Sequence, residues 1–205
     1  LGLEARGAKP GENASTSASQ PVELAGEAFG TTWSVKLRQP PVDAAALREE
    51  LAVELERIEG KLSHWRPSSE TSQFNGSTTT LALEFSPELI ARVELAQRLS
   101  VATDGAFDIT VAPLVDLWGY GPSGPRKEPP GDAEIAGALE PIGYQKLKID
   151  AQDHTLKKRN AELKIDLGSI LQGYAADRLA ALLVERHVGD VLIDVGGELR
   201  AVGAW

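Results

Sequence analysis

The chain of 205 residues is 42% apolar and 25% charged, which is the composition of an ordinary globular protein. Its formal net charge of -9 argues against nucleic-acid binding, which needs clustered lysine and arginine side chains, and the lack of cysteine excludes disulfides, thiolate metal sites and cysteine nucleophiles. Charged residues interrupt the longest apolar runs well before the roughly 20 apolar residues of a membrane-spanning helix.

The start of the chain differs in composition from the rest. Residues 7–20 (GAKPGENASTSASQ) are small and polar, with too little apolar area to form a core. We therefore predict a flexible tether over residues 1–21 and a single domain over residues 22–205. The tether is either a plain disordered terminus or the spacer that follows a removed leader in an exported protein.

A β-hairpin and an amphipathic helix are predicted at the start of the domain. Extended runs on either side of Gly30 predict the hairpin, which Pro40-Pro41 ends. Asp43 is predicted to cap the helix that follows. Its apolar stripe recurs every three or four residues and comprises Leu47, Leu51, Leu55, Ile58 and Leu62. We expect this stripe to pack on the core.

A polar loop, a second helix and a surface excursion follow. Residues 63–77 are predicted to form a loop. Its aromatic rings, Trp65 and Phe74, ordinarily pack beneath such a loop. Ser86 begins a helix with an apolar face that extends to Leu99 and a turn signal soon after it. The stretch that starts at Gly119 is rich in glycine and proline and is predicted to lie on the surface.

The second half of the domain alternates between helices and strands. Helices are predicted over residues 132–139 and 170–186, and strands over residues 144–149, 155–158, 162–167 and 191–195, with another strand starting at Glu198. The basic run at residues 157–159 is predicted to be a strand end that faces water. These elements indicate the α+β class, in a single mixed α/β domain.

The most informative stretch joins a predicted strand to a helix through Gly168. Alternation along the strand places Asp166 on the face opposite its apolar residues. The helix start presents free N–H groups and the positive end of a dipole, which suits phosphate or a polar ligand edge. Gly173 costs this helix roughly 1 kcal/mol relative to alanine. Such a glycine indicates the close approach of either a ligand or a neighbouring backbone, and the sequence leaves the two open.

Two other segments are candidates for ligand contacts. Residues 103–119 hold three aspartates, which usually serve as caps and turns, although Asp108 is alternatively a ligand to a sugar or ring nitrogen. Gly196-Gly197 ends a strand, and paired glycines mark a turn or let a ligand touch the backbone. The histidines have no metal-type or triad spacing and are predicted to be surface or loop residues. They are His64, His154 and His187.

Five segments together resemble the ApbE family of flavin transferases, and they occur in the order found in that family. They are FGTTW (29–33), LSHWRPSSETSQFN (62–75), TDGAFDITVAPLVDLWGYGP (103–122), DLGSILQGYAADR (166–178) and DVGGELRAVG (194–203). Members of the family bind FAD and Mg²⁺ and transfer FMN to a threonine or serine of a carrier flavoprotein in a redox complex, releasing AMP. The resemblance implies this fold and activity here, in a chain that is truncated at its C-terminus.

The resemblance also implies roles for individual residues. Phe29 matches the residue beside the flavin, Trp65 matches the aromatic that covers the isoalloxazine ring, and Ser169 matches the residue whose oxygen binds the metal. The other positions that match FAD contacts are Ala106, Phe107, Asp108, Asp166 and Gln172. The catalytic residue is expected in the C-terminal segment of the family, which this sequence lacks, and is unknown here.

Position 172 departs from the family pattern, since many members have lysine where this chain has Gln172. Gln172 and the missing C-terminal segment favour one alternative to the transferase, a non-catalytic FAD-binding module of the cell envelope. A second alternative, an FAD pyrophosphatase that yields FMN and AMP, stays open because the same metal and pocket serve both reactions. Members of the ApbE family have long been labelled lipoproteins. This label and the predicted tether imply a periplasmic location, or one on the outer side of the cytoplasmic membrane, with an N-terminal lipid anchor. No nucleic-acid partner is expected.

Overall fold

The structure, a computed structural model, describes residues 21–39 and 43–204. Residues 1–20 of the predicted tether, the Pro40-Pro41 break and Trp205 lie outside this part of the chain. The strands are β1 (Val22–Ala28), β2 (Thr31–Leu37), β3 (Leu83–Glu84), β4 (Leu147–Asp150), β5 (Thr155–Lys158), β6 (Val191–Val195) and β7 (Glu198–Val202). The helices are α1 (Ala44–Leu62), α2 (Glu70–Gly76), α3 (Pro87–Ala102), α4 (Ala112–Leu117), α5 (Asp132–Leu139) and α6 (Gly168–Glu185). No helix in the described ranges combines the length and apolar character that a membrane span requires.

A four-stranded antiparallel sheet packs against the two longest helices. Its strand order is β1-β2-β6-β7, and α1 and α6 contact both the sheet and each other. Asp43 caps α1 by accepting a hydrogen bond from the N–H of Ala46 at 2.9 Å. All five apolar residues predicted for this helix are buried, because their spacing keeps them on one face. The predicted hairpin, the first helix and the α+β class are thereby confirmed.

A smaller sheet with the order β3-β5-β4 lies beside α3. Ser86 caps α3 as predicted, but Leu99 is 37% exposed and Ser100 takes the buried position instead. The strand predicted from Tyr144 begins later, at Leu147. Residues 144–146 form a 3-10 turn, which follows a positive φ of 136° at Gly143.

The strand predicted over residues 162–167 is wrong, because its backbone pairs with a side chain instead of a neighbouring strand. The Nδ2 of Asn75 donates to the carbonyl of Ile165 at 2.8 Å, and the Oδ1 of Asn75 accepts from the N–H of Ile165 at 2.8 Å. The N–H of Asp166 donates to the carbonyl of Ile109 at 2.8 Å. The alternation itself is present, since Leu163, Ile165 and Leu167 are buried. An apolar alternation can therefore occur without a sheet.

The polar loop predicted over residues 63–77 contains a helix, α2. The hydroxyl of Ser69 caps it by accepting from the N–H of Ser72 at 3.0 Å. Phe74 is fully buried, with its ring centroid 5.9 Å from that of Phe85. A helix of seven residues has too few positions to display an apolar period, so the sequence did not reveal it.

The prediction that residues 157–159 face water is wrong for Lys158, which is 1% exposed. Alternation along β5 places Lys158 on the same buried face as Leu156. Its Nζ donates to the carbonyl of Ser77 at 2.6 Å and lies 4.7 Å from the centre of the Phe74 ring. Burial, assisted by the charge of Lys164, lowers the pKa of Lys158 to about 8.

Candidate functional site

Two tight turns meet at one end of the four-stranded sheet. Trp33 of β2 pairs with Val195 of β6, so the turn Phe29-Gly30 lies beside the turn Gly196-Gly197. The N–H of Gly196 also donates to the carbonyl of Thr32 at 3.0 Å, which joins the two turns. This end of the sheet is therefore a fixed platform for the loops around it.

A cleft of about 470 Å³ opens at this platform. The hairpin tip, the C-terminal end of α1, the loop after it and the first turns of α6 form its walls. Three of the predicted site residues line it: Phe29, Trp65 and Gln172. A concave mixture of aromatic and polar groups of this size suits part of a small organic ligand.

Phe29 has a backbone conformation that large side chains usually avoid. It is the first residue of the two-residue turn between β1 and β2, with a φ of 55°, where glycine or asparagine is favoured. This left-handed conformation costs about 1–3 kcal/mol for a residue other than glycine. The N–H of Phe29 donates to Oε2 of Glu59 at 3.1 Å, and the ring packs partly buried against the core. The surrounding contacts thus hold a strained residue at the cleft.

Trp65 is the second aromatic residue that lines the cleft, and it is 54% exposed. Two side-chain hydrogen bonds from α2 hold the residues just before Trp65. The hydroxyl of Thr71 donates to the carbonyl of Leu62 at 2.7 Å, and the hydroxyl of Ser72 donates to the carbonyl of His64 at 3.1 Å. An exposed aromatic ring on a fixed loop provides a stacking surface for a planar ligand.

The N-terminus of α6 opens onto the cleft through Gly168, and its N-cap residue, Leu167, makes no side-chain capping hydrogen bond. The N–H of Gly168 donates to Oδ1 of Asp166 at 2.7 Å, while Ser169 is exposed in the first turn. A helix of 18 residues concentrates partial positive charge at this end, which favours a phosphate group. The start of α6, which the sequence predicts to suit phosphate or a polar ligand edge, therefore opens onto the cleft.

Asp166 lies against His64, a contact that the sequence does not predict. Oδ1 of Asp166 is 3.1 Å from Nδ1 of His64, and the two side chains are 17% and 8% exposed. Burial raises the pKa of the Asp166 carboxyl, but His64 and the N–H of Gly168 outweigh burial and hold the pKa below its usual value. Asp166 is therefore ionised at neutral pH.

Gln172 connects α6 to the turn Gly196-Gly197. A Cβ atom added at Gly196 would lie 2.8 Å from Cγ2 of Thr31 and 3.2 Å from Nε2 of Gln172. Both glycines have positive φ values, 62° and 98°, as a two-residue hairpin turn requires. The turn interpretation of the paired glycines is confirmed, and their compactness leaves room for the Gln172 side chain at the cleft.

Residues 29–205 match the sequence model of the ApbE family. The chain belongs to this family. Two curated relatives are the FAD:protein FMN transferases of Vibrio cholerae (34% identical, covering 90% of this chain and 55% of the relative) and Haemophilus influenzae (32%, 89% and 54%). The chain thus spans about half the length of the curated relatives it matches.

Solved ApbE structures share the fold. The flavin transferase ApbE from Vibrio cholerae is 34% identical, with a TM-score of 0.86 over 91% of this chain and 60% of that one. The ApbE protein from Thermotoga maritima is 28% identical, with a TM-score of 0.80 over 91% of this chain and 60% of that one. These matches confirm the predicted flavin-transferase type of fold.

The ApbE segment at residues 106–108 does not line the cleft. Asp108 caps the 3-10 turn after it, and its carboxylate accepts hydrogen bonds from two backbone N–H groups and one hydroxyl. Phe107 packs partly buried on the core, and Ala106 is exposed. The contact between Asp166 and Ile109 joins this segment to the edge of the cleft. FAD contacts at these three positions stay predictions.

Sequence reasoning missed two ionisable residues of the cleft. His64 lies in a loop as predicted, but its side chain is largely buried against Asp166. Its position beside Trp65 was the only feature of the sequence that pointed to a place in the site. Glu59 is 12% exposed and contacts Phe29 and Arg66. Nothing in the local pattern separates Glu59 from the other acidic residues of α1.

Gly173 has open space around it. A Cβ atom added there would meet no atom within 4 Å outside the helix backbone, so no neighbouring backbone in the described part of the chain requires a glycine. Gly173 follows Ser169 by one turn on the same face of α6. Of the two explanations that the sequence leaves open, only the approach of a ligand stays a prediction.

Proposed function

We propose that the chain is the FAD-binding part of an FAD:protein FMN transferase. In this proposal, FMN passes from FAD to a threonine or serine hydroxyl of a carrier flavoprotein, and AMP is released. The observation that carries the proposal is the cleft, which Phe29 and Trp65 line together with Gly168 at the N-terminus of α6. Aromatic walls suit a planar ring and a helix N-terminus suits a diphosphate, and FAD contains both groups. Membership of the ApbE family supports the same assignment.

The parts of FAD are assigned to separate walls of the cleft. Phe29 and Trp65 hold the isoalloxazine ring, and the first turn of α6 holds the diphosphate beside Ser169 and Gln172. The ionised carboxylate of Asp166 accepts a hydrogen bond from an N–H or hydroxyl of the ligand. The remaining proposed FAD contacts are Ala106, Phe107 and Asp108.

The hydroxyl of Ser169 suits a magnesium ion whose other ligands come mainly from the substrate. No group of three or more His, Cys, Asp or Glu side chains within the described residues could hold a metal. Mg²⁺ commonly keeps several waters and takes phosphate oxygens with few protein ligands, so one exposed hydroxyl is a sufficient protein contribution. When bound, the ion offsets the negative charge of the diphosphate, which a chain of net charge -9 does not neutralise with clustered basic side chains.

The residues of the chain bind and orient the substrate. Stacking on the aromatic walls fixes the flavin, and the N–H groups of α6 stabilise charge on the phosphates. Phosphoryl transfer depends mainly on positioning and electrostatics, so these contacts account for the proposed contribution of the chain to catalysis. The group that accepts the hydroxyl proton is not assigned to a residue of this chain.

The proposed acceptor is a flavoprotein subunit of a redox complex. We place the reaction in the periplasm or on the outer side of the cytoplasmic membrane, with a lipid anchor before the domain. The composition of residues 1–21 and the lipoprotein label of the family support this placement.

The test measures FAD binding by this chain from flavin fluorescence, and AMP release by chromatography, each with Mg²⁺ and with EDTA. AMP that appears only with an acceptor protein, and not in EDTA, supports transfer. AMP without an acceptor indicates the pyrophosphatase. FAD binding without AMP release is expected both of a binding module and of the FAD-binding part of a transferase on its own. Absence of FAD binding contradicts all three functions. Ser169→Ala should remove the effect of Mg²⁺ on binding, whereas Thr78→Ala, which alters an exposed hydroxyl outside the cleft, should not.

A further inference from the structure

One carboxylate contacts both the backbone of Phe29 and the residue that follows Trp65. Oε2 of Glu59 accepts the hydrogen bond from the N–H of Phe29, 30 residues away, at 3.1 Å. Oε1 of Glu59 lies 3.3 Å from Nε of Arg66, the residue after Trp65. The side chain of Glu59 is 12% exposed, so water competes little for either contact. Each carboxylate oxygen of Glu59 therefore contacts a different segment of the cleft wall, the hairpin tip or the loop that carries Trp65.

The contact with Phe29 is made at the point of backbone strain. A phenylalanine with a φ of 55° is stable only where its surroundings hold it, and the N–H at that residue has Glu59 as its partner. A hydrogen bond to an ionised acceptor is about twice as strong as one between neutral groups. Glu59 is thus suited to stabilise the turn conformation that presents the Phe29 ring.

We propose that Glu59 is a positioning residue that sets the separation of Phe29 and Trp65 across the cleft. The expected effect on FAD binding rests on the proposed function, whereas the contacts of Glu59 with Phe29 and Arg66 do not depend on FAD. Glu59 acts through its neighbours: it fixes the hairpin tip through the backbone of Phe29 and the opposite loop through Arg66.

Glu56 provides a matched control on the same helix. It lies one turn before Glu59 in α1 and pairs with Nη2 of the same Arg66 at 2.7 Å, but it is 66% exposed. The hydrogen bond from the N–H of Phe29 goes to Glu59 and not to Glu56. A change at Glu56 therefore removes an acidic partner of Arg66 without releasing the hairpin tip.

The first experiment measures FAD affinity in Glu59→Ala, Glu59→Gln and Glu56→Ala. We expect Glu59→Ala to weaken binding roughly tenfold, the equivalent of one hydrogen bond to a charged group. Glu59→Gln keeps an acceptor for the Phe29 N–H and should recover most of that loss, while Glu56→Ala should stay within about twofold. In a Phe29→Gly background the effect of Glu59→Ala should shrink to the part that acts through Arg66, because glycine adopts the turn without support. Equal losses for Glu59→Ala and Glu56→Ala, or additive effects with Phe29→Gly, would overturn the proposal.

The second experiment needs no ligand. The amide proton of Phe29, followed by two-dimensional NMR, should move upfield and exchange roughly tenfold faster in Glu59→Ala, but not in Glu56→Ala. An unchanged Phe29 amide refutes the proposal even if affinity falls. A wild-type chain that does not bind FAD, with the amide responding as expected, would instead contradict the proposed function and leave the link from Glu59 to the hairpin tip intact. A responding amide with unchanged FAD affinity would show that Glu59 does not position the flavin walls.

Discussion

Replacement of Gly173 by alanine distinguishes a ligand from a packing partner at the start of α6. Glycine inside a helix costs roughly 1 kcal/mol relative to alanine. The added methyl group meets no atom within 4 Å in the free chain, so the variant should gain that amount of stability. For a chain of this size, the gain corresponds to a rise in melting temperature of about 2–4 °C.

The same methyl group should weaken FAD binding. If the diphosphate and its metal ion lie along the face that carries Ser169 and Gly173, the new Cβ occupies part of their space. Overpacking by one methyl group costs about 1–3 kcal/mol, so the dissociation constant should rise roughly tenfold or more. Stability and affinity should therefore change in opposite directions.

The assay pairs thermal unfolding by circular dichroism with FAD titration by fluorescence. Gly60→Ala is the matched control, since Gly60 also lies in a helix, has no atom within 4 Å of an added Cβ and does not line the cleft. It should raise the melting temperature without changing affinity. If Gly173→Ala binds FAD as tightly as the wild type, no ligand approaches this position, and if it melts at a lower temperature, the open space is filled by something else. Either result refutes the reasoning.

Two further predictions concern the exposed aromatic wall and the buried lysine. Trp65→Ala should weaken FAD binding about tenfold in a fluorescence titration, because the stacking face is lost. The control Trp118→Ala removes another half-exposed tryptophan outside the cleft and should leave the affinity for FAD unchanged. Equal effects of the two substitutions would remove Trp65 from the site. Because the pKa of Lys158 falls from 10.5 to about 8 on folding, the folded chain binds fewer protons between those two values and its stability rises with pH there. Relative to Lys158→Met, the wild type should gain roughly 3 kcal/mol in urea unfolding from pH 8 to pH 10.5, and parallel pH profiles would contradict a depressed pKa.

Much of the first half of the fold could be predicted because its signals are local. The α1 stripe, its Asp43 cap and the hairpin around Gly30 each depend on residues only a few positions apart. The motifs of the ApbE family were also readable, and with them the residues of the candidate site. Errors occurred where an alternation of apolar residues is compatible with two structures. At residues 162–167 the alternation is present, but it does not show that the side chain of Asn75 takes the place of a neighbouring strand.

The sequence by itself determined the α+β class and the family, and it indicated Phe29, Trp65 and Gln172 as candidate site residues. Only the tertiary structure decided that these residues share one cleft, and that Glu59 links the first of them to the loop beside the second. The physical reason is that apolar periodicity and turn chemistry are properties of neighbouring residues, whereas a buried carboxylate finds its partners only after the hairpin and helices have packed.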